Sequence, residues 1–503
     1  MGLGSRSVSA VKWGTATTVL KYGLQFGVQV VMARILGPDL VGLFAMAMVV
    51  LLLVNFLADF GFGWAVLQKP GIDDRDVRFA FTWQAATGSL ASLALFFGAG
   101  AIAEFFSEPR LAGLIPWLSP ACLVSAIACP SNYLLRRKMD FRAIGLIELA
   151  GYAAGYVVVG LPVALLGGGV WALVAAWLAQ AALVAALTMA KSRHPMRPLF
   201  WYRGAGGMLN VSMTVFVTNL CNWFLNNLDR ILLGRMSNAR ALGHYSTGYN
   251  LASMPNMVLI GVLQPTFLAA GARLQDDRPA LARAYLQVLA AVWVLIAPCF
   301  VLLAACADPL VLFLYGAEWA RTGTLLALLA LGMPAFLTMA MSTPVLWNSG
   351  RKHWETLLQL PILAALAAAL LGFAGQSAET TAAAVVAAIW LRGWWMCWAA
   401  ADSLRLGAAD WRADLLRGVL VCAAVGAAAF AARMLLGAML PPPALLLATG
   451  FAGGAVLAAI GLLRPAWLGA AANEAVARFL PRWREHLRRR AAGRASLESR
   501  PGG

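Results

Sequence analysis

Charge is what this 503-residue chain has least of. Asp, Glu, Lys and Arg together make up 12% of it, against about 25% in water-soluble globular domains. Acids are scarcer still, 22 against 39 Lys and Arg, and there are four histidines. Seven cysteines all fall inside apolar blocks and form no CxxC pair, so no disulfide framework is implied. The histidines, His194, His244, His353 and His486, lie near loops or in the tail, without metal-ligand spacing. No GxxxxGK[ST], HExxH or GxSxG occurs, so the chain offers no phosphate loop, zinc-protease helix or nucleophile elbow. Long polar stretches are missing too: no connection between apolar blocks exceeds about sixteen residues. A membrane glycosyltransferase or polymerase would need more to hold its acceptor and catalytic carboxylates. The sequence reads as no enzyme, with no catalytic residues, no metal and no cofactor.

What is abundant is hydrocarbon. Hydrophobic residues are 61% of the chain and mean hydropathy is +0.74. They cluster in blocks of about twenty, long enough at about 1.5 Å per residue to cross a hydrocarbon core of about 30 Å. A transmembrane barrel would show alternating segments of about ten residues instead. The expectation is an all-α polytopic membrane protein with about 14 transmembrane helices. The first six blocks run near 11–33, 41–67, 79–103, 111–133, 144–166 and 169–190. The next six are near 207–228, 241–268, 284–306, 322–347, 356–374 and 380–401, and two more near 418–436 and 444–463. Lys12 and Lys21 interrupt the first block, which fits a retained helix better than a cleaved signal core.

The basic residues then test the count. With the N-terminus in the cytoplasm, 29 of the 39 Lys and Arg fall in cytoplasmic segments and 7 at the outer face. The remaining three, Lys12, Lys21 and Arg392, lie within helices. Such alternation is the positive-inside pattern. It places both termini in the cytoplasm and accounts for the net charge of +17 without a nucleic-acid partner.

The chain also repeats itself. Arg34-Ile-Leu-Gly37 with Gly42-Leu-Phe44 returns as Arg230-Ile-Leu-Leu-Gly234 with Gly243-His-Tyr245. Phe105-Phe-Ser-Glu108 returns as Leu314-Tyr-Gly-Ala-Glu318, and Arg136-Arg-Lys138 as Arg351-Lys352. Mates lie six helices apart, so both halves keep one orientation. Two six-helix lobes, 1–190 and 207–401, are expected around a central cavity, joined by a basic cytoplasmic linker at 191–206. Helices 13 and 14 (402–463) and a basic cytoplasmic tail (464–503) follow.

Polar residues inside the blocks mark the expected lining. Helix 1 carries Thr18, Lys21, Gln25 and Gln29 on one face, and helix 7 carries Asn219, Asn222 and Asn226. Such stripes belong against protein or a wet cavity, because lipid satisfies no hydrogen bonds. Lys21 and Arg392, near mid-membrane, are the candidate cavity cations, with Lys12 nearer the cytoplasmic interface. Asp59 is the nearest candidate acid for Lys21 and the candidate coupling-ion site, while Glu148 is expected at the cytoplasmic interface. Pro255, Pro265, Pro298, Pro334 and Pro344 interrupt helices 8 to 10 and permit kinks.

Three motifs carry a family resemblance. Met32-Ala-Arg-Ile-Leu-Gly-Pro-Asp-Leu-Val-Gly-Leu-Phe-Ala-Met46 resembles the junction of helices 1 and 2 in polysaccharide-type flippases of the multidrug/oligosaccharidyl-lipid/polysaccharide exporter superfamily. Ala58-Asp-Phe-Gly-Phe-Gly63 is similar to that family's helix 2, and Leu314-Tyr-Gly-Ala-Glu-Trp319 to its segment between helices 9 and 10. The resemblance implies a Wzx-like transporter in the bacterial inner membrane. It would flip undecaprenyl-diphosphate-linked oligosaccharide units by alternating access for O-antigen, capsule or exopolysaccharide assembly. Its partners would be that lipid-linked oligosaccharide, membrane lipids, and a polysaccharide polymerase with its chain-length regulator. The family's cationic cavity would carry over to Lys21 and Arg392. A lipid II flippase, or a drug/cation antiporter of the same superfamily, is the alternative; a glycan polymerase is the enzyme reading that the short loops disfavour.

Overall fold

A computed structural model describes residues 3–69, 71–193, 195, 197–203, 205–274, 277–372 and 377–463. These residues are helical almost throughout, with no strand among them. In chain order the α-helices are α1 (Leu3–Asp59), α2 (Phe62–Gln68), α3 (Asp74–Phe106), α4 (Arg110–Leu118), α5 (Pro120–Arg137) and α6 (Phe141–Tyr152). After a π-helical stretch, Ala153–Gly160, come α7 (Leu161–Leu165), α8 (Trp171–Ser192), α9 (Ala205–Met236), α10 (Ala239–Arg273) and α11 (Arg278–Ala291). A second π-turn, Val292–Ile296, leads into α12 (Ala297–Ala305) and α13 (Ala307–Tyr315), followed by α14 (Ala320–Asn348) and α15 (Lys352–Gly372). Last are α16 (Ala378–Ser403), α17 (Ala408–Leu436) and α18 (Pro442–Leu463).

Among the described residues, ten helical segments are long and apolar enough to cross a membrane. Every one of the fourteen expected blocks coincides with helix. The first two share α1, which bends where Gly37 adopts φ 74° ahead of Pro38. The seventh, eighth and eleventh coincide with α9, α10 and α15. Connections stay short, the longest between successive helices being 193–204. Caps mark several ends: Asp73 closes a capping box with Asp76 at α3, Asp140 accepts from the Ala143 N–H, and Asp277 from the Ala280 N–H. The basic tail lies outside the described residues.

The chain divides into two compact units. One comprises Met1–Asn250, Leu314–Thr322 and Gln359–Ala384; the other comprises Leu251–Phe313, Gly323–Leu358 and Val385–Gly503. In the first, Val28, Met32 and Leu36 of α1 pack on Tyr152, Ala172 and Leu173, and Phe62, Val66 and Phe79 form a second core. In the other, Tyr285, Val345, Leu346, Met396 and Ala400 form the main core.

Repeat mates meet inside the first unit. Gly42 and Gly243 lie face to face where the second half of α1 crosses the start of α10. A Cβ on Gly42 would fall 1.7 Å from the Ala239 carbonyl oxygen, and one on Gly243 would fall 1.9 Å from that of Pro38. Each glycine thus rests on the carbonyl four residues before its mate, so the contact is reciprocal. Glycine is required there because two backbones touch.

The prolines are accommodated by different means. Pro298 follows the π-turn, whose wider ladder absorbs the missing donor. Pro334 and Pro344 sit inside α14, where each removes an N–H from the ladder. The Ala340 carbonyl, which residue 344 would normally serve, accepts instead from the Gln264 side-chain amide at 3.0 Å.

Candidate functional site

Helix α6 comes close to α1 because Gly145 has no side chain: a Cβ there would lie 2.2 Å from Thr17 Oγ1. One turn further along both helices the same approach joins Lys21 to Glu148, with Nζ 2.8 Å from Oε2. The pair is half-buried, its side chains 26% and 31% exposed. Glu148 is therefore the acid that meets Lys21, not Asp59 as the sequence suggests. The sequence assigns Glu148 to the interface because it lies about one turn into its helix. Missing from that reading is the close approach that Gly145 allows, which turns Glu148 onto α1.

Asp59 has a separate environment. It is the last residue of α1, and the next two residues, Phe60 (φ 45°) and Gly61 (φ 75°), take left-handed conformations that break the helix. Gly63 then admits the Tyr133 ring, which a Cβ would meet at 2.0 Å. In this fold Asp59 Oδ1 accepts from Gln84 Nε2 at 2.7 Å and from the Cys129 thiol at 3.2 Å. Both are neutral donors, from α3 and α5. Gln84 is fully buried, and its Oε1 has no hydrogen-bond partner among the described residues. Cys129 is thus more than a small hydrophobe, which is how its place in an apolar block reads. Gln84, a lone amide in the third apolar block, is the signal in the sequence that points to it.

The other candidates are placed as follows. Gln25 of α1 and Asn219, Asn222 and Asn226 of α9 are half-buried in the first unit. There α9 lies beside the second half of α1, with Phe216 stacked 5.5 Å from Phe56 and tilted against Phe60 at 5.0 Å. The side chains of Lys12 and Thr18 lie outside the described residues. Arg392 belongs to the other unit and is buried, 7% exposed, on α16. Its neighbour Gly393 brings α16 against α14, a Cβ falling 2.6 Å from the Ala335 carbonyl. The adjoining tryptophans face other rings: Trp390 lies 5.4 Å from Trp293 and donates to the Leu331 carbonyl, and Trp394 lies 5.3 Å from Trp411. Arg34 donates to the Leu314 carbonyl, and Arg230 stacks 4.6 Å from the Tyr249 ring. Among the described residues no group of His, Cys, Asp and Glu is arranged to hold a metal ion.

The linker between α8 and α9 is tied to α3. Arg78 donates to the carbonyls of Arg197 and Pro198, Thr82 Oγ1 accepts the Leu199 N–H at 2.7 Å, and Trp83 Nε1 donates to the Phe200 carbonyl. Tyr202 and Lys69 both reach Asp76. That carboxylate holds the Lys69 ammonium above its ordinary pKa.

Residues 31–323, more than half of the chain, match the family of polysaccharide biosynthesis proteins. The chain belongs to that family. Among its relatives is the lipopolysaccharide biosynthesis protein WzxC of Escherichia coli (strain K12), 25% identical over 325 residues, covering 63% of this chain and 65% of that one. Another is the succinoglycan biosynthesis transport protein ExoT of Rhizobium meliloti (strain 1021), 27% identical over 345 residues, with 68% and 69% covered. The chain thus spans about two thirds of the length of these curated relatives. Of solved structures, the lipid II flippase MurJ in an inward closed conformation superposes with a TM-score of 0.69 at 14% identity, covering 89% of this chain and 98% of that one. An inward-facing MATE family transporter of the MOP superfamily superposes with a TM-score of 0.61 at 13% identity, covering 76% and 94%. These likenesses establish that this member of the polysaccharide biosynthesis family has the fold of the MOP superfamily.

Proposed function

We propose that this multi-pass membrane protein flips polyprenyl-diphosphate-linked oligosaccharide units across the bacterial inner membrane by alternating access, both termini lying in the cytoplasm. One observation carries the reading. A chain of membrane-length helices, with no connection between successive described helices longer than 193–204, belongs to a family defined by polysaccharide biosynthesis. A diphosphate and a hydrophilic glycan do not enter hydrocarbon, whereas a polyprenyl tail can stay in lipid. What is needed is a polar route, cations for phosphate and amides for sugar, and no covalent chemistry. Two six-helix lobes around a cavity would supply that route. Lys21 and Arg392 are its proposed phosphate contacts, with Lys12 at the entrance, and Gln25, Asn219, Asn222 and Asn226 are its sugar contacts. Asp59 is the proposed coupling-ion site. A polymerase and its chain-length regulator are the partners that would consume the product.

The test is reconstitution into liposomes with a polyprenyl-diphosphate oligosaccharide loaded on one leaflet. Lectin access to the opposite leaflet should rise well above that of protein-free liposomes. Equal rates would overturn the proposal. Transfer of lipid II, or of organic cations, at a higher rate than the oligosaccharide lipid would move the assignment to another branch of the superfamily.

A further inference from the structure

A second cluster of cations lies away from Lys21 and Arg392. The start of α10 and the short 3-10 turn Ala317–Trp319 flank an open-sided cavity of about 520 Å³ within the first unit, lined by Asn238, Arg240, His244, Glu318 and Arg321, the two arginines being exposed. Residues 229–240 and 307–321 fall on the side that the basic-residue pattern assigns to the exterior. Neither guanidinium makes a hydrogen bond or salt bridge to another described residue. Acids flank the space: Glu318 is part of its lining, and Asp39 is within electrostatic range of Arg240. Asp39 grips Arg110 at 2.6 and 3.2 Å, Glu108 holds the same arginine at 2.8 Å, and Glu318 Oε2 lies against Gly37. Glu379, in the first turn of α16, is within electrostatic range of His244. His244 is only 4% exposed yet lines the cavity. Its Nδ1 pairs with Thr322 Oγ1 at 2.9 Å and its ring packs edge-on to Trp319, which leaves Nε2 without a partner among the described residues. Asn238 uses its oxygen to cap α10, accepting from Ala241 N at 2.8 Å, and keeps its amide N–H groups. The N-termini of α10 and α14 converge on the same space and add their partial positive charge.

We propose that this cavity is a second anion site, at the outer face, that takes a phosphate-class oxyanion between Arg240 and Arg321, with His244 Nε2 and the Asn238 amide as further donors. Two guanidiniums that no carboxylate grips offer paired N–H groups that match phosphate oxygens, and a buried imidazole fixes where the third contact falls. In the transport cycle the site would receive the diphosphate as it leaves. That role rests on the flippase reading, whereas phosphate binding does not.

The experiment is equilibrium binding of inorganic pyrophosphate to the full chain in phosphatidylcholine nanodiscs. Arg240→Gln and Arg321→Gln should each weaken this component of binding at least about tenfold, the double variant should abolish this component, and Arg412→Gln, at an exposed position on α17 in the other unit, should leave it intact. Charge-assisted hydrogen bonds of about 1.5–3 kcal/mol set that expectation. No saturable binding by the parent, or equal binding by the arginine variants, would overturn the proposal. So would tighter binding of glucuronate than of pyrophosphate, which would make the ligand a carboxylated sugar. Repeating the titration in phosphatidylglycerol nanodiscs separates the sources. Competition in the parent alone identifies a lipid phosphodiester as an occupant, and its absence identifies a terminal or diphosphate group. Binding without lipid transfer in liposomes would keep this site and remove the flippase reading; transfer with no such binding would do the reverse.

Discussion

The crossing of Gly42 and Gly243 makes a quantitative claim about how two repeat mates share one contact. The Cβ of Gly42→Ala would fall 1.7 Å from the Ala239 carbonyl, and that of Gly243→Ala 1.9 Å from the Pro38 carbonyl. Side-chain carbons essentially never come within 3.0 Å of such an atom, so α1 and α10 must separate by at least 1.3 Å for the first and 1.1 Å for the second. Overpacking of this kind costs about 1–3 kcal/mol. The two clashes lie side by side, and one displacement relieves both. The double variant should therefore cost about as much as the worse single, with a coupling energy of about 1–3 kcal/mol, well above the roughly 0.3–0.5 kcal/mol scatter of independent sites. Thermal scanning of the detergent-purified protein reads this directly. Each single should lower the midpoint by several degrees, at roughly 2–4 °C per kcal/mol for a unit of this size, and the double should fall little further. Additive losses would refute the shared-displacement argument, and singles that melt like the parent would refute the contact itself.

Gln264→Leu should destabilise the protein by about 0.6–1.7 kcal/mol, the range for membrane hydrogen bonds; the same change in a Pro344→Ala background should be neutral, because the restored N–H can serve the Ala340 carbonyl. Exchanging the Lys21–Glu148 pair (Lys21→Glu with Glu148→Lys) should recover the melting temperature that Lys21→Ala loses but not glycan export, and recovery of export would reduce Lys21 to a structural partner. Arg110 holds the Glu108 carboxyl below its ordinary 4.5, so Glu108 adds stability that is present above that value and is lost as the pH falls through its lower folded value. A melting series from pH 6 to 3 should show Glu108→Gln with a shallower acid dependence than the parent, and parallel curves would remove this contribution.

The sequence reveals most where one physical rule acts alone. Block length against bilayer thickness marks fourteen blocks that coincide with helix among the described residues, and the repeated Gly42 and Gly243 motifs point to a duplication whose mates touch in the fold. It reveals less where several weak placements must combine. Lys21 is visible as a charge in hydrocarbon, yet its partner depends on Gly145, a residue whose only contribution is what it lacks. Asp59 is visible as an acid, but its neighbours Gln84 and Cys129 lie 25 and 70 residues away along the chain and read singly as packing. The cavity at the start of α10 shows the same limit, since Arg240 and Arg321 are two basic residues far apart in the sequence until the fold sets them around one buried histidine. Charge inside an apolar run is thus a reliable pointer to a position worth attention and a poor pointer to its partner. The partner is selected by which helices approach most closely, and close approach is written in glycines. Gly42, Gly63, Gly145, Gly243 and Gly393 each stand where a Cβ would collide with a neighbouring segment. Three of them adjoin a polar group inside an apolar block: Gly63 follows Asp59, Gly145 lies one turn before Glu148, and Gly393 follows Arg392. In a chain this apolar, the small residues beside a buried polar group therefore carry more information about its partner than the polar group does.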